Sequence, residues 1–159
     1  MAINMPWDAI FGYANLWAML CWAVLAFAPK REMIIPYLFY AGCGLLAFVY
    51  AGLIIALMSG MISDGGPPGG SGADFTTLAG IMAIFDSPGG ATIGWIHYLA
   101  FDLFVGIWAA RNADRRAIGR ITQVPILFFI LMVGPLGLVL YLILRQFLGQ
   151  KPENALVPS

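Results

Sequence analysis

The sequence predicts an all-α polytopic membrane protein with four transmembrane helices and a short interfacial helix in an outer loop. Three observations lead there. Hydrophobic residues make up 61% of the 159 residues and charged residues only 10%, against about 25% charged in soluble domains. Four apolar runs, Ile10–Ala28, Met33–Met58, Ile93–Ala110 and Val124–Leu144, come close to or exceed the roughly 20 residues that cross a bilayer. The basic residues are also segregated. Lys30 and Arg31 separate the first two runs, and Arg111, Arg115, Arg116 and Arg120 separate the last two, whereas residues 59–90 contain no Lys or Arg. By the positive-inside rule the two basic turns are cytoplasmic, which puts both termini and the acidic loop outside. Arg145 and Lys151 oppose that orientation, but six basic residues outweigh two. A bacterial inner membrane is the expected location, and membrane lipid the expected surrounding partner. The net charge of zero argues against a nucleic-acid partner.

The first run is too long and Trp-rich for a cleaved signal peptide, and it is followed by PKRE, not by a small-residue cleavage site. Cys21 and Cys43 lie inside spans and read as small buried hydrophobes, not as a disulfide framework. In the second run Gly44, Ala47 and Ala51 form a small-residue stripe of the kind that lets helices approach closely. Residues 59–74 read as a flexible outer loop, with the Gly/Pro tract DGGPPGGSG at its centre. Residues 75–85, FTTLAGIMAIF, are apolar but about half the length of a span. They predict a short helix capped by Asp74 and stopped by Asp86–Gly90, serving either as a lid on the bundle or as a plain connector. Pro6, Pro36 and Pro125 fall near helix starts.

The third run carries the chemistry, because its only ionisable groups are His97 and Asp102. A charged carboxylate at mid-bilayer costs about 2.5–3.5 kcal/mol on insertion scales, so Asp102 needs a partner, a proton or a function. A protonated carboxyl that simply ties two helices together meets the same requirement. In the fourth run Pro135 should kink the helix and free the carbonyl of Leu131 near the bilayer centre. Gly134 and Gly137 open the backbone there, so a protonated Asp102 donating to the freed carbonyl would satisfy both groups. At about 1.5 Å of rise per residue, Asn15, Tyr50, His97 and, further out, Tyr141 fall in the outer half of their spans. Five residues separate His97 from Asp102, about 140° around a helix, so the two face different ways. His97 shares a stripe with Phe101, Phe104 and Trp108, and Asp102 one with Trp95, Tyr98 and Gly106. Asp102 and His97 are the ionisable candidates for a functional role. Asn15, Tyr50, Trp95, Tyr98, Gly134, Pro135 and Tyr141 are the candidate ligand contacts, and no metal site is expected.

WIHYLAFDLFVGIW (Trp95–Trp108), GPLGLVLYLILR (Gly134–Arg145), the opening FGYANLWAML and the PKRE turn together resemble the abscisic-acid-deficiency-four-like family. Plant members of that family are associated with neoxanthin synthesis. The resemblance spans most of Phe11–Arg145 and places His97, Asp102, Gly134, Pro135 and Gly137 in the family's recurrent motif. It implies a bound carotenoid as the nearest thing to a cofactor. If the protein is an enzyme, it implies a carotenoid isomerisation in which Asp102 assists epoxide opening and His97 removes a carbon-bound proton. The chain departs from the pattern at Ile107, where the family commonly has an arginine. Three functions compete: a carotenoid-binding or carotenoid-modifying protein, a non-catalytic accessory or assembly subunit of a larger, pigment-bearing membrane complex, and a small transporter. Co-purified pigment, stable partner chains and proton-coupled uptake would favour them in turn.

Overall fold

The computed structural model describes residues 2–29, 31–66 and 74–148, apart from the side chains of Arg31 and Glu32. Lys30, Lys151 and most of the Gly/Pro tract lie outside the described residues. The fold is all-α, and four of its helices are long and apolar enough to cross a membrane. α1 is Trp7–Phe27. α2 (Arg31–Tyr37) continues through a π-helical segment, Leu38–Gly44, into α3 (Leu45–Met58). α4 is the short Leu78–Phe85, α5 is Pro88–Arg115 and α6 is Arg120–Phe147. Exposed side chains such as Phe48, Ile55 and Phe128 are large and apolar, and helical hydrogen bonding satisfies the backbone within each regular segment, as a bilayer demands. Pro6 precedes α1, and Asp8 lies in its first turn, where a carboxylate favours the positive end of the helix dipole. Pro36 and Pro125 lie inside α2 and α6, past the first turn, and not at the helix starts.

The chain forms two compact units, Met1–Ala18 with Gly44–Ala100 and Met19–Cys43 with Phe101–Ser159. In the first, part of the supposedly flexible loop is tied down. β1 (Ile3–Asn4) pairs in parallel with β2 (Ile62–Ser63), and the Trp7 indole N–H donates to the Ser63 carbonyl at 3.1 Å. Trp7, Ile62 and Ile93 form a buried cluster. The helix predicted over 75–85 begins later, at Leu78. Its N-cap is Thr77, whose Oγ1 accepts from the Gly80 amide at 3.1 Å. Asp74 sits one turn earlier as an acceptor for the Thr76 amide at 2.8 Å and the Thr77 hydroxyl at 3.2 Å. α5 then starts with Ser87 accepting from the Gly90 amide at 3.1 Å and Pro88 as its first residue, where proline's missing N–H costs nothing.

The second unit departs most from expectation. α6 is not a single rod, because its helical path breaks at Val133 (φ −143°, ψ 41°) and Gly134 (φ 10°, ψ −83°). Beyond the break the chain turns back on itself, and a Cβ on Gly137 would strike the Ile130 backbone seven residues earlier. In a straight helix those residues stand about 10 Å apart along the axis. Near the start of α6 the Gln123 amide donates to Asp114 Oδ1 at 3.0 Å. Near its end the Tyr141 hydroxyl donates to Asn112 Oδ1 at 2.6 Å, and Arg116 donates to the Arg145 carbonyl at 3.3 Å. Both arms therefore lie against the same last turns of α5. Pro135 does not displace a carbonyl within a continuing helix. It opens the second arm, a position where its fixed φ is already suited. α5 itself ends in a Schellman turn, with Ile118 N bonded to the Ala113 carbonyl and Ala117 N to the Asp114 carbonyl, each at 3.0 Å.

Candidate functional site

Within the first unit the candidate contacts separate into two groups. The Asn15 amide donates to the Phe11 carbonyl of its own helix at 2.8 Å and accepts from the Trp95 indole at 3.0 Å. Phe11 packs beside the Trp95 ring with centroids 6.0 Å apart. This polar link joins α1 to α5 in the apolar region. Tyr50 and His97 form the other group, with ring centroids at 5.2 Å, and Tyr98 meets the imidazole edge-on at 6.2 Å. These three rings border a cavity of about 500 Å³ whose remaining wall is mostly aliphatic and aromatic. That volume lies within the usual range for small-molecule sites, about 300–1,000 Å³.

α4 supplies part of the wall through Ile81, Ile84 and Phe85. It sits close because α5 presents glycines one turn apart. A Cβ on Gly90 would collide with the Ile84 carbonyl, and one on Gly94 would lie 2.5 Å from Phe85 Cε1. None of the α4 residues was expected from sequence, although the Gly90/Gly94 spacing on one helix face was a legible sign of close approach. Asp74 organises the entry to α4, and the hydrogen bond from the Thr76 amide is the main cause holding its carboxyl below the usual carboxylate range.

Asp102 and Gly134 meet in the second unit. The three atoms nearest to a Cβ built on Gly134 are all in the Asp102 carboxyl group. The carboxyl therefore lies on the buried Gly134 backbone at the hairpin tip, next to Pro135. Gly106, on the same α5 stripe, is covered by the Trp22 ring, and Gly42 of the π-helical segment packs on Cys21 Sγ at 3.1 Å and Leu103 Cδ2 at 3.2 Å. Tyr141 does not join Asn15, Tyr50 and His97. The fold-back of α6 brings it to Asn112, fifteen residues beyond His97 along α5, where it packs edge-on against Trp108 at 5.7 Å. The stripe Gly44, Ala47 and Ala51 packs less closely than its residue types suggest, since Gly44 and Ala47 are exposed. Cys21 is buried and Cys43 half-buried, and neither is in a disulfide. Among the described residues no group of three His, Cys, Asp or Glu side chains is placed to hold a metal ion.

A profile of the ABA4-like family, ABA DEFICIENT 4-like, matches residues 9–141. The chain belongs to the ABA4-like family. The matched region runs from Ala9 in α1 through α5 and along α6 as far as Tyr141, and so includes both the His97 cavity and the Asp102–Gly134 contact. No curated protein and no solved structure matches the chain.

Proposed function

We propose that this ABA4-like protein binds one ring end of a carotenoid in the cavity bordered by Tyr50, His97 and Tyr98. The observation that carries this reading is the cavity itself: about 500 Å³, walled largely by apolar side chains, with an imidazole and two phenols grouped on one side. A rigid polyene ending in an oxygenated ring needs that combination, an apolar slot with a few placed polar groups that fix orientation. α4 acts as the lid over the ring, held by Thr77 at its start and by Gly90 and Gly94 beneath it. Acid–base work on the ring, of the neoxanthin-synthase kind, would fall to His97, with the phenols as hydrogen-bond donors. Asp102 is read as the partner of the hairpin tip.

The test is organic-solvent extraction of the gently purified chain, with an absorption spectrum and a gel of its companions. About one carotenoid per chain is expected, falling several-fold in His97→Ala and in Gly94→Leu. A second reading, an accessory subunit of a larger membrane complex, is favoured by the sparse coverage of the Met33–Met58 helix, of whose apolar window only 11% is buried. A colourless chain that always travels with the same partner subunits would replace the first reading with the second.

A further inference from the structure

We propose that the second unit carries a site for one anionic phospholipid, between α2 with its π-helical extension and the last turns of α5. A cavity of about 520 Å³ lies there, lined by Ile35, Phe39, Tyr40 and Ile107 and, at one end, by Arg111 and Arg115. Ile107, Arg111 and Arg115 are spaced i, i+4, i+8 and share one face of α5, so the wall changes from apolar to cationic along the helix axis. Taking Asp102 as the midpoint of the apolar run, Arg111 stands about 14 Å and Arg115 about 20 Å along the helix from the midpoint. The hydrocarbon half-thickness is about 15 Å, which places both guanidinium groups where lipid phosphates lie. At the deeper end Phe39 packs on Phe104 with centroids 6.1 Å apart, leaving an aromatic and aliphatic wall for an acyl chain. The cavity also has one acid, Asp114, and its Oδ1 already accepts from Gln123 at 3.0 Å. Basic pockets between helices on the cytoplasmic side are the known chemistry for anionic headgroups.

The experiment is native mass spectrometry of the purified full chain with dioleoyl phosphatidylglycerol and dioleoyl phosphatidylcholine in equal amounts. Preferential retention of phosphatidylglycerol is expected, unaffected by millimolar glycerol 3-phosphate because the headgroup alone lacks the chain. In Arg111→Gln/Arg115→Gln the preference should fall roughly ten- to thirtyfold, each arginine being worth about a factor of five. Equal retention of the two lipids by the wild type overturns the proposal, as does a folded double variant that keeps the preference. Displacement by glycerol 3-phosphate would make the site one for a soluble phosphate ester and equally defeat the lipid assignment.

A second inference rests on different contacts. We infer that α6 enters and leaves the membrane by the same face, as a re-entrant hairpin. A straight helix of 28 residues is about 42 Å long and would put its ends on opposite sides. Here Gln123 and Tyr141 both line one small void with Ala109, Ala110 and Ala113, and the Arg145 guanidinium lies 5.7 Å over the Trp108 ring. Arg145 then joins Arg111, Arg115, Arg116 and Arg120 at the same end of α5, which removes the conflict it posed for the positive-inside count. The inference is tested with single-cysteine variants in sealed membrane vesicles, using a membrane-impermeant maleimide. Gly119→Cys, a position with open space around it, and Leu148→Cys should label from the same side, and Thr76→Cys from the other. If Leu148→Cys labels with Thr76→Cys, the hairpin is wrong. A reporter fused after residue 148 gives the same answer without a cysteine.

Discussion

At the scale of single residues, contact with Asp102 is what makes Gly134 irreplaceable. Gly134→Ala should destabilise the protein by about 1–3 kcal/mol, the ordinary cost of forcing a methyl into a packed site. In an Asp102→Ala background, which removes the atoms that meet the new methyl, most of that cost should disappear. Thermal unfolding of the four proteins in one detergent closes the cycle, and additive losses would mean that the two residues do not touch. Asp74 makes a prediction about pH. Its folded-state pKa is lowered, chiefly by the Thr76 amide hydrogen bond, so the stabilisation is fully present above the unfolded-state value near 3.8 and is lost as pH falls through the folded value. Hydrogen exchange at the amides of residues 76–80 should therefore remain protected from pH 8 to pH 5 and quicken only in stronger acid. Protection that vanished near pH 6 would implicate a different group. His97 and Asp102 were legible as candidates because an ionisable side chain stands out in an apolar run. Tyr50 and Tyr98 beside His97 and Gly134 beside Asp102 were among the named candidates. Ile81, Ile84 and Phe85 of α4 were not, because how a short helix folds onto a long one depends on packing and not on depth along the chain.

Among the elements, α4 and α5 give the clearest test of how packing builds the cavity. Gly90 faces a backbone carbonyl and Gly94 faces the end of an aromatic ring, and a ring can swing away where a main chain cannot. Gly90→Ala should therefore lower the thermal midpoint more than Gly94→Ala, and it alone should open residues 78–85 to protease. Equal effects would show that the ring is held as firmly as the backbone. The existence and approximate limits of all four long helices were readable from hydropathy. The end of α4 was readable as well, while its start moved by three residues because Thr77, not Asp74, supplies the capping oxygen. The reversal in α6 escaped the sequence reading because Val133-Gly134-Pro135 has the same composition whether the helix merely bends or turns back. Proline at the first position of a second helix and proline inside one continuous helix look alike in one dimension. Tyr141 was misplaced for the same reason, since depth counted along a straight axis carried it the wrong way.

For the molecule as a whole, membership of the ABA4-like family and an all-α membrane fold follow from one-dimensional patterns, while the two cavities required three-dimensional packing. One cavity has an imidazole and phenols and the other has guanidinium groups, so the two should differ in response to ionic strength. Raising salt from 50 to 500 mM should weaken phosphatidylglycerol retention and leave any extracted pigment nearly unchanged. If pigment and lipid are lost together, the two sites are not chemically distinct. The break at Val133–Gly134 also bears on how the chain is made. A run of this length and hydropathy is ordinarily released sideways from the insertion machinery into lipid as a finished helix. This one leaves helical geometry at Val133 and Gly134, where the regular hydrogen-bond ladder is interrupted and hydrocarbon offers no substitute partner. Because α5 precedes α6 in the chain, the Asp102 carboxyl is already in the membrane when the hairpin tip arrives. Correct insertion of the last apolar segment thus depends on a helix synthesised moments earlier, and a lesion at Asp102 would first be felt during biogenesis.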